Sequence, residues 1–329
     1  MKVIIQIPCL NEAKTLPATL AALPRELPGV DSVEWLVIDD GSTDDTAAVA
    51  RAHGVDHVVP MNGNQGLARA FTAGLLAAAE LAADVIVNTD ADNQYQADDI
   101  EKIVAPIVAG EADMVIGSRP IQAIRHFSPL KRFLQRLGSR VVRTVSGTEV
   151  RDAPSGFRAF TADAALRLNV FSSYTYTLET IIQAGSANLR IVDVPIRVNG
   201  PTRPSRLIRS IPSYLRRSVV DILKTYVIYH PVRIFGLLGA LFLIPAAFLA
   251  TRYLVYVALG EGTGHVQSVV ASGVLAICGV FMLAIGIVAH LQGVNRQLLE
   301  ETRYLLHSER LRPRLSAEDR RETAETSSG

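Results

Sequence analysis

The chain has 329 residues, 49% hydrophobic and 20% charged, with a formal net charge of +1. That balance conceals a polarity: residues 1–118 carry 6 Lys/Arg against 18 Asp/Glu, residues 119–233 carry 19 against 6, and residues 234–329 carry 8 against 8. A nucleic-acid partner is disfavoured, because the acidic leading segment repels phosphate backbones; an acidic segment followed by a basic one suits a metal or polar-ligand site beside a phosphate-rich surface.

From Val3 to Gly117 short β-branched runs alternate with Ala/Leu-rich stretches. Val3–Ile7, Trp35–Ile38, Val55–Val59, Val85–Val87 and Met114–Ile116 read as strands, and Thr15–Leu23, Asp44–His53, Ala68–Leu81 and Ala97–Val108 as helices. Strands that are apolar throughout, with helices between them, predict an α/β class fold with a doubly wound, mostly parallel sheet covered on both faces. The N-terminal apolar run turns polar at Asn11-Glu12, too soon for a signal peptide, so the first domain is expected in the cytoplasm. Cys9 and Cys278 offer neither a disulfide framework nor ligand spacing and read as buried thiols.

In such sheets ligands bind outside the carboxyl ends of the strands, and those ends are chemically marked. They carry Pro8-Cys9-Leu10-Asn11-Glu12, then Asp39-Asp40-Gly41-Ser42, then Asp90-Ala91-Asp92-Asn93-Gln94, and finally Gly117-Ser118-Arg119. Carboxylates gathered at one edge repel one another, so a positive group is expected among them, most simply a divalent cation. Asp90-Ala91-Asp92 is a D-x-D at a strand end. Hard cations such as Mg²⁺ or Mn²⁺ take oxygen ligands there and keep positions for substrate phosphates, with Gln94 able to add a carbonyl oxygen. Ser42 reads as a helix N-cap with Asp44-Asp45 in the first turn. Asp39 and Asp40 precede it and face the ligand edge, where carboxylates accept hydrogen bonds from a base or ribose; Pro8 to Glu12 can do the same.

Residues 119–202 are basic and less regular. In 203–233 there are seven Lys/Arg and one acid, Asp221, while Ile211, Leu215, Val219, Leu223 and Val227 recur every four residues. That pattern predicts a basic amphipathic segment lying in a membrane interface. Ile234–Thr251 and Val266–Ala289 are free of charge, each close to the roughly 20 residues that span a bilayer core. Arg252 can snorkel to the headgroups, and Pro245 is expected to kink the first span. The connector Gly260–His265 has no Lys or Arg, whereas residues 296–314 have five, so both flanks are expected in the cytoplasm. The resulting organisation is a domain over 1–202, interfacial helices over 203–233, a two-helix transmembrane hairpin over 234–290 (about 234–259 and 266–289), and a charged cytoplasmic tail over 291–329, disordered beyond Leu315.

No G-x-G-x-x-G follows the first strand and no P-loop or H-E-x-x-H occurs, which disfavours dinucleotide oxidoreductases, P-loop enzymes and zinc proteases. The ordered set Pro8-x-x-Asn11-Glu12, Asp39-Asp40-Gly41-Ser42, Asp90-Ala91-Asp92-x-Gln94, Gly117-Ser118-Arg119 and Ser155-Gly156-Phe157-Arg158 resembles inverting nucleotide-sugar glycosyltransferases of the second family, which have the GT-A fold. Over about residues 1–230 the chain is most similar to the branch that makes polyprenyl-phosphate sugars, the relatives of dolichyl-phosphate mannose synthase. The resemblance implies that Pro8, Asn11, Glu12, Asp39 and Asp40, with Asp90 and Ala91, hold the nucleotide sugar. It implies that Asp90, Asp92 and Gln94 bind Mg²⁺ or Mn²⁺, and that Arg119, Arg136, Ser139 and Arg206 surround the lipid phosphate. Ser205-Arg206 stands where these synthases often show Ser-Lys. The Gln-x-x-Arg-Trp signature of processive synthases cannot occur, since the only tryptophan is Trp35.

A lipid phosphate is already anionic near neutral pH and needs no general base; it needs positive charge that brings it in line with the anomeric carbon. The expected reaction is direct displacement at the membrane. A homo-oligomer also fits. Two other readings remain open: transfer to a hydroxyl of a glycolipid or glycan, with Glu179 as base, and a non-catalytic membrane adaptor that binds nucleotide sugar.

Overall fold

The computed structural model describes residues 1–120, 138–140, 142–143, 146–170, 176–200, 220, 226–227 and 230–326. Most of the amphipathic segment 203–233, with Arg206, lies outside the described residues, as does Arg136. The chain forms two compact units, one made of residues 1–222 and 301–329, the other of residues 223–300.

The first unit is built on a seven-stranded sheet: β1 (Lys2–Cys9), β2 (Ser32–Asp39), β3 (His57–Pro60), β4 (Val85–Asn88), β5 (Met114–Ser118), β6 (Arg158–Thr161) and β7 (Ile191–Pro195). Their spatial order is β3-β2-β1-β4-β6-β5-β7. Every pairing is parallel except those of β6, which runs antiparallel to both β4 and β5. The helices are α1 (Leu16–Ala22), α2 (Thr46–Ala52), α3 (Leu67–Glu80), α4 (Ile100–Val108), α5 (Ala162–Arg167) and α6 (Thr177–Ser186). Val3, Ile5, Ile7, Val37, Val85, Val87 and Val115 pack with Leu16, Leu20, Ile103 and Ile107 in one cluster, the continuous apolar strand pattern of a sheet covered on both faces.

Pro8 sits near the end of a central strand without breaking it. The carbonyl of Gln6 accepts from Thr89 on the β4 side, and that of Cys9 accepts from Asp40 on the β2 side. The missing N–H of Pro8 therefore falls on the β4 side, one step past the end of β4 at Asn88.

Two sequence expectations change here. Ser42 is not an N-cap: α2 starts at Thr46, and the Ser42 hydroxyl accepts from the Asn11 N–H at 2.9 Å instead. Asp44 supplies the local acceptor, taking the Thr46 N–H at 3.1 Å. The less regular stretch 119–202 also holds a strand order invisible in its hydrophobic pattern, because β6 is four residues long and opens on an arginine.

The second unit contains α7 (Pro231–Ala258), which continues as helix through Pro245, and the start of α8 (Val266–Thr326). Pro231–Ala258 and Val266–Ser308 are long and apolar enough to cross a membrane. They cross closely: a Cβ on Gly239 would stand 2.8 Å from Leu283, one on Gly279 would stand 2.6 Å from Leu243, and one on Gly286 2.8 Å from Phe235. The Ser272 hydroxyl donates to the Ala246 carbonyl at 2.8 Å across the pair. Cys278 is only half-buried, unlike Cys9, because most of this pair's apolar surface faces outward.

Helix α8 continues past the apolar stretch to Thr326, so the expected disordered tail is helical. Part of it finds partners on the first unit. Arg303 donates to Asn169 at 2.5 Å, the Tyr304 hydroxyl donates to Asp163, and the Arg167 guanidinium lies 4.3 Å from the Tyr304 ring centre.

Candidate active site

The carboxyl ends of β1, β2, β4 and β5 bring the marked residues to one edge. At the β2 end, Asp39 Oδ1 accepts from Ser42 N at 2.9 Å. Asp40 accepts twice, from the backbone N–H of Gln65 at 2.7 Å and of Gly66 at 2.9 Å. Both aspartates are buried. The expected repulsion is thus partly met by the protein's own N–H groups, and Asp40 shapes the Asn62–Gly66 loop as one wall of the cleft. The Asn11 side chain accepts from Thr43 N at 2.7 Å, and Asn11 itself takes a positive φ of 54°. Glu12 is buried, its N–H donating to Thr46 and its carboxylate accepting from Thr15 at 2.6 Å.

Gly41 is where that wall closes. Its φ is +71°, and an added Cβ would overlap the Gly63 carbonyl carbon and lie 2.7 Å from Asn64 N. A left-handed non-glycine residue costs about 1–2 kcal/mol before any collision. Gly41→Ala is expected to destabilise the first unit by at least about 2 kcal/mol, lowering Tm by about 4–8 °C in thermal unfolding.

The β4 end carries the acidic turn. Ala91 is buried, its carbonyl accepting from Thr19 at 2.9 Å, while Asp90 and Asp92 are half-exposed on either side. Asn93 adopts φ 52°, closing the turn. Asp92 accepts from Gln94 twice, at 3.2 Å from the backbone and 2.9 Å from the side-chain amide. The atom of Gln94 that meets Asp92 is therefore its amide nitrogen. The turn is stitched to the chain after β7, with Asn199 donating to the carbonyls of Gln94 and Asn93 at 2.8 Å.

Around Asp90 lies a polar cluster that the sequence reading missed. Asn88, fully buried, accepts from Gln6 at 2.8 Å and donates at 2.8 Å to both the Gly156 carbonyl and the Tyr176 hydroxyl. Gly156 N donates to the Tyr95 hydroxyl at 3.0 Å. Burial pushes the Tyr95 phenol up to about 12, with the negative charge of Asp90 adding to it; the Tyr176 phenol rises for the same two reasons. A signal was present: Gln6 and Asn88 are polar residues inside apolar strands, and they are register partners.

Arg119, expected on the acceptor phosphate, forks onto buried Asp152 through Nε at 2.6 Å and Nη2 at 3.0 Å. Burial opposes its charge, but Asp152, Tyr95 and Asp90 outweigh that and hold the guanidinium protonated. Ser139, also buried, accepts from Ala153 N at 3.3 Å. Arg119 and Ser139 thus meet through Asp152-Ala153. The Ser155-Gly156-Phe157-Arg158 element is internal framework. Ser155 donates to the Gly117 carbonyl at 2.6 Å, and the Arg158 guanidinium is completely buried among carbonyls and a threonine hydroxyl, its burial bringing it down to about 10. Glu179 is buried in the first turn of α6, its Oε1 facing the Gln183 amide at 3.4 Å.

Among the described residues no three His, Cys, Asp or Glu side chains gather as a complete metal cage. Two half-exposed carboxylates at a strand edge fit instead a hard cation that draws the rest of its shell from substrate phosphates and water.

A family model described as glycosyl transferase family 2 matches residues 4–165. The chain is 36% identical over 223 residues to an uncharacterized glycosyltransferase of Mycobacterium tuberculosis, covering 67% of this chain and 94% of that one. It is 32% identical over 206 residues to an undecaprenyl-phosphate mannosyltransferase of Micrococcus luteus, covering 60% and 83% respectively. Among solved structures, glucosyl-3-phosphoglycerate synthase from Mycobacterium tuberculosis, in complex with Mn²⁺, UDP and glucosyl-3-phosphoglycerate, superposes with a TM-score of 0.54 at 22% identity over 68% of this chain and 79% of that one. The sheet is of the same GT-A type.

Proposed function

This chain belongs to glycosyl transferase family 2, and from that premise we propose that it moves a hexose from a nucleotide-diphosphate sugar to the phosphate of a polyprenyl lipid, with inversion, at a membrane surface. The observation that carries the reading is the pair of long apolar helices, Pro231–Ala258 and Val266–Ser308, in the same chain as the transferase unit. An acceptor dissolved in water has no need of them. The name of the Micrococcus luteus relative supports a lipid phosphate acceptor.

In this reading the β1 and β2 ends hold the nucleoside: Asp39, with the backbone around Pro8, Asn11 and Glu12, lines the side of the cleft that Asp40 and Gly41 close. Asp90 and Asp92 hold Mg²⁺ or Mn²⁺, oriented by Gln94 and the Asn88 cluster. Bound there, such an ion neutralises the departing nucleoside diphosphate. Arg119, kept cationic by Asp152, sets the positive charge of the acceptor side, and Arg136, Ser139 and Arg206 complete it. The acceptor phosphate attacks the anomeric carbon from the face opposite the leaving group, its own charge replacing a base. Glu179 is buried and engaged by Gln183, which favours this over the hydroxyl-acceptor reading. The basic flanks on either side of the apolar helices support a cytoplasmic transferase unit, and self-association is compatible with the same arrangement.

Full-length protein incubated with radiolabelled sugar nucleotides, Mn²⁺ and undecaprenyl phosphate is expected to yield a labelled lipid that mild acid cleaves. Label appearing only in an acid-stable glycosidic product, with the phosphate lipid unused, would refute the acceptor assignment.

A further inference from the structure

The backbone of the acidic turn is gripped from outside at two points. On one side stands α1. The hydroxyl of Thr19, a buried residue of that helix, donates to the Ala91 carbonyl at 2.9 Å, nearer than the Thr15 carbonyl one turn back at 3.4 Å. On the other side runs the chain after β7. Asn199 Nδ2 donates to the Asn93 carbonyl at 2.8 Å, and its backbone N–H donates to the Gln94 carbonyl at 2.8 Å. The Asn199 amide is itself held the right way round, because its Oδ1 accepts from the Gln96 side chain at 2.9 Å.

The carbonyls that are gripped bracket Asp92. A peptide unit is planar, so the carbonyl of one residue and the N–H of the next move as one plate. Thr19 holds the oxygen of the plate between Ala91 and Asp92, which fixes where the Asp92 backbone begins. Asn199 holds the oxygen of the plate between Asn93 and Gln94. The opposite end of that plate, the Gln94 N–H, donates to Asp92 Oδ1 at 3.2 Å. Asn199 thus reaches the Asp92 carboxylate through one rigid unit. Between the two plates Asn93 sits at φ 52°, a left-handed conformation that persists where surrounding contacts over-determine it.

We propose that Thr19 and Asn199 are positioning residues for the metal-holding turn: from α1 and from the chain after β7 they clamp the peptide planes on either side of Asp92, so that its carboxylate meets a divalent cation already oriented. The assignment rests on the reading of Asp90 and Asp92 as the metal-holding pair. A loose turn must give up backbone freedom when an ion arrives; a clamped one has given it up on folding. Outer partners that orient metal ligands contribute about 10–100-fold to metal affinity. The clamp also gives α1 a hand in both halves of the cleft. At its start Thr15 donates to the Glu12 carboxylate at 2.6 Å, and one turn later Thr19 holds the acidic turn.

The test is Mn²⁺ binding to the full-length protein in detergent, read as loss of the free-ion electron paramagnetic resonance signal below the unfolding temperature of every variant. Thr19→Val keeps the shape of the side chain and removes the donor; it is expected to weaken Mn²⁺ binding about tenfold. Thr19→Ser keeps the donor and removes a methyl group, and should bind Mn²⁺ as the wild type does. A packing role would reverse that order, since it is the serine that opens a cavity. Asn199→Ala leaves its backbone N–H on Gln94 and is also expected to weaken binding about tenfold. Wild-type affinity in either Thr19→Val or Asn199→Ala, alongside binding lost in Asp92→Ala, would overturn the clamp and leave the metal pair standing. So would a loss in Thr19→Ser equal to that in Thr19→Val. Mn²⁺ binding that survives in both Asp90→Ala and Asp92→Ala would overturn the metal pair itself and the proposal with it.

Discussion

Asp92→Ala is expected to lower sugar transfer by roughly 10³-fold, the several kcal/mol that a metal contributes to a departing diphosphate, while costing less than about 1 kcal/mol of stability, as befits a half-exposed residue. The contrast is what makes the measurement informative. The turn should persist without the Asp92 carboxylate, closed by Asn93 and by Asn199 from the chain after β7. Gln94→Ala is expected to reduce transfer about tenfold, because it frees the carboxylate rather than deleting it. Rates are best followed as labelled lipid under saturating donor, with Tm measured in parallel. An Asp92→Ala protein that transfers at the wild-type rate would remove the metal from the reaction altogether.

Arg158→Met should do the reverse: disturb no ligand, yet unfold the transferase unit. The guanidinium donates through Nε to the Ser155 carbonyl at 2.8 Å, through Nη1 to the Thr180 hydroxyl at 2.5 Å, and through Nη2 to the carbonyls of Ala153 and Thr177 at 2.8 Å. A methionine fills the volume but takes the donor from three carbonyls, while the Thr180 hydroxyl keeps the bond it donates to the Tyr176 carbonyl at 2.8 Å. Each buried orphan costs about 1–3 kcal/mol, so a loss of at least about 3 kcal/mol is expected, a large share of the 5–15 kcal/mol that typically holds a domain together. Lysine should not rescue it, since a single ammonium cannot bridge acceptors spread across a planar fork. Urea unfolding followed by the Trp35 fluorescence would read the change. A midpoint within about 1 kcal/mol of wild type would show that the loop and α6 are held by something else.

These two residues also mark how far the sequence was legible. Asp92 was readable because parallel strands announce themselves by unbroken apolar runs, and whatever polar residue follows such a run must lie at the ligand edge. The same logic puts Asp39, Asp40, Asn11 and Glu12 at the carboxyl ends of β1 and β2, where the structure has them. It could not say which way each carboxylate points. Asp40 faces inward to the amides of Gln65 and Gly66, a partner 25 residues away that no periodicity encodes. Arg119 was expected to present its charge to a ligand, yet most of its fork is committed to Asp152, a pairing across 33 residues. Strand β6 escaped because a short antiparallel insertion leaves no helix-strand alternation behind it. The polar pair Gln6 and Asn88 was visible as an anomaly in two apolar strands, but its meaning required their register.

The tight crossing of α7 and α8 bears on how the protein is made. At Gly239 and Gly279 a Cβ would press on the Leu283 and Leu243 side chains packed over them, and Ser272 ties one helix to the other within the apolar stretch. In the membrane-spanning arrangement proposed above, neither helix would present its full circumference to lipid, and each would lack a partner for its groove until the other is synthesised. The pair is accordingly suited to leave the ribosome's exit machinery as one hairpin and partition together. A bulky residue at Gly279 would be felt first during biogenesis, as a fall in the yield of correctly inserted chains, before any assay of sugar transfer registered it.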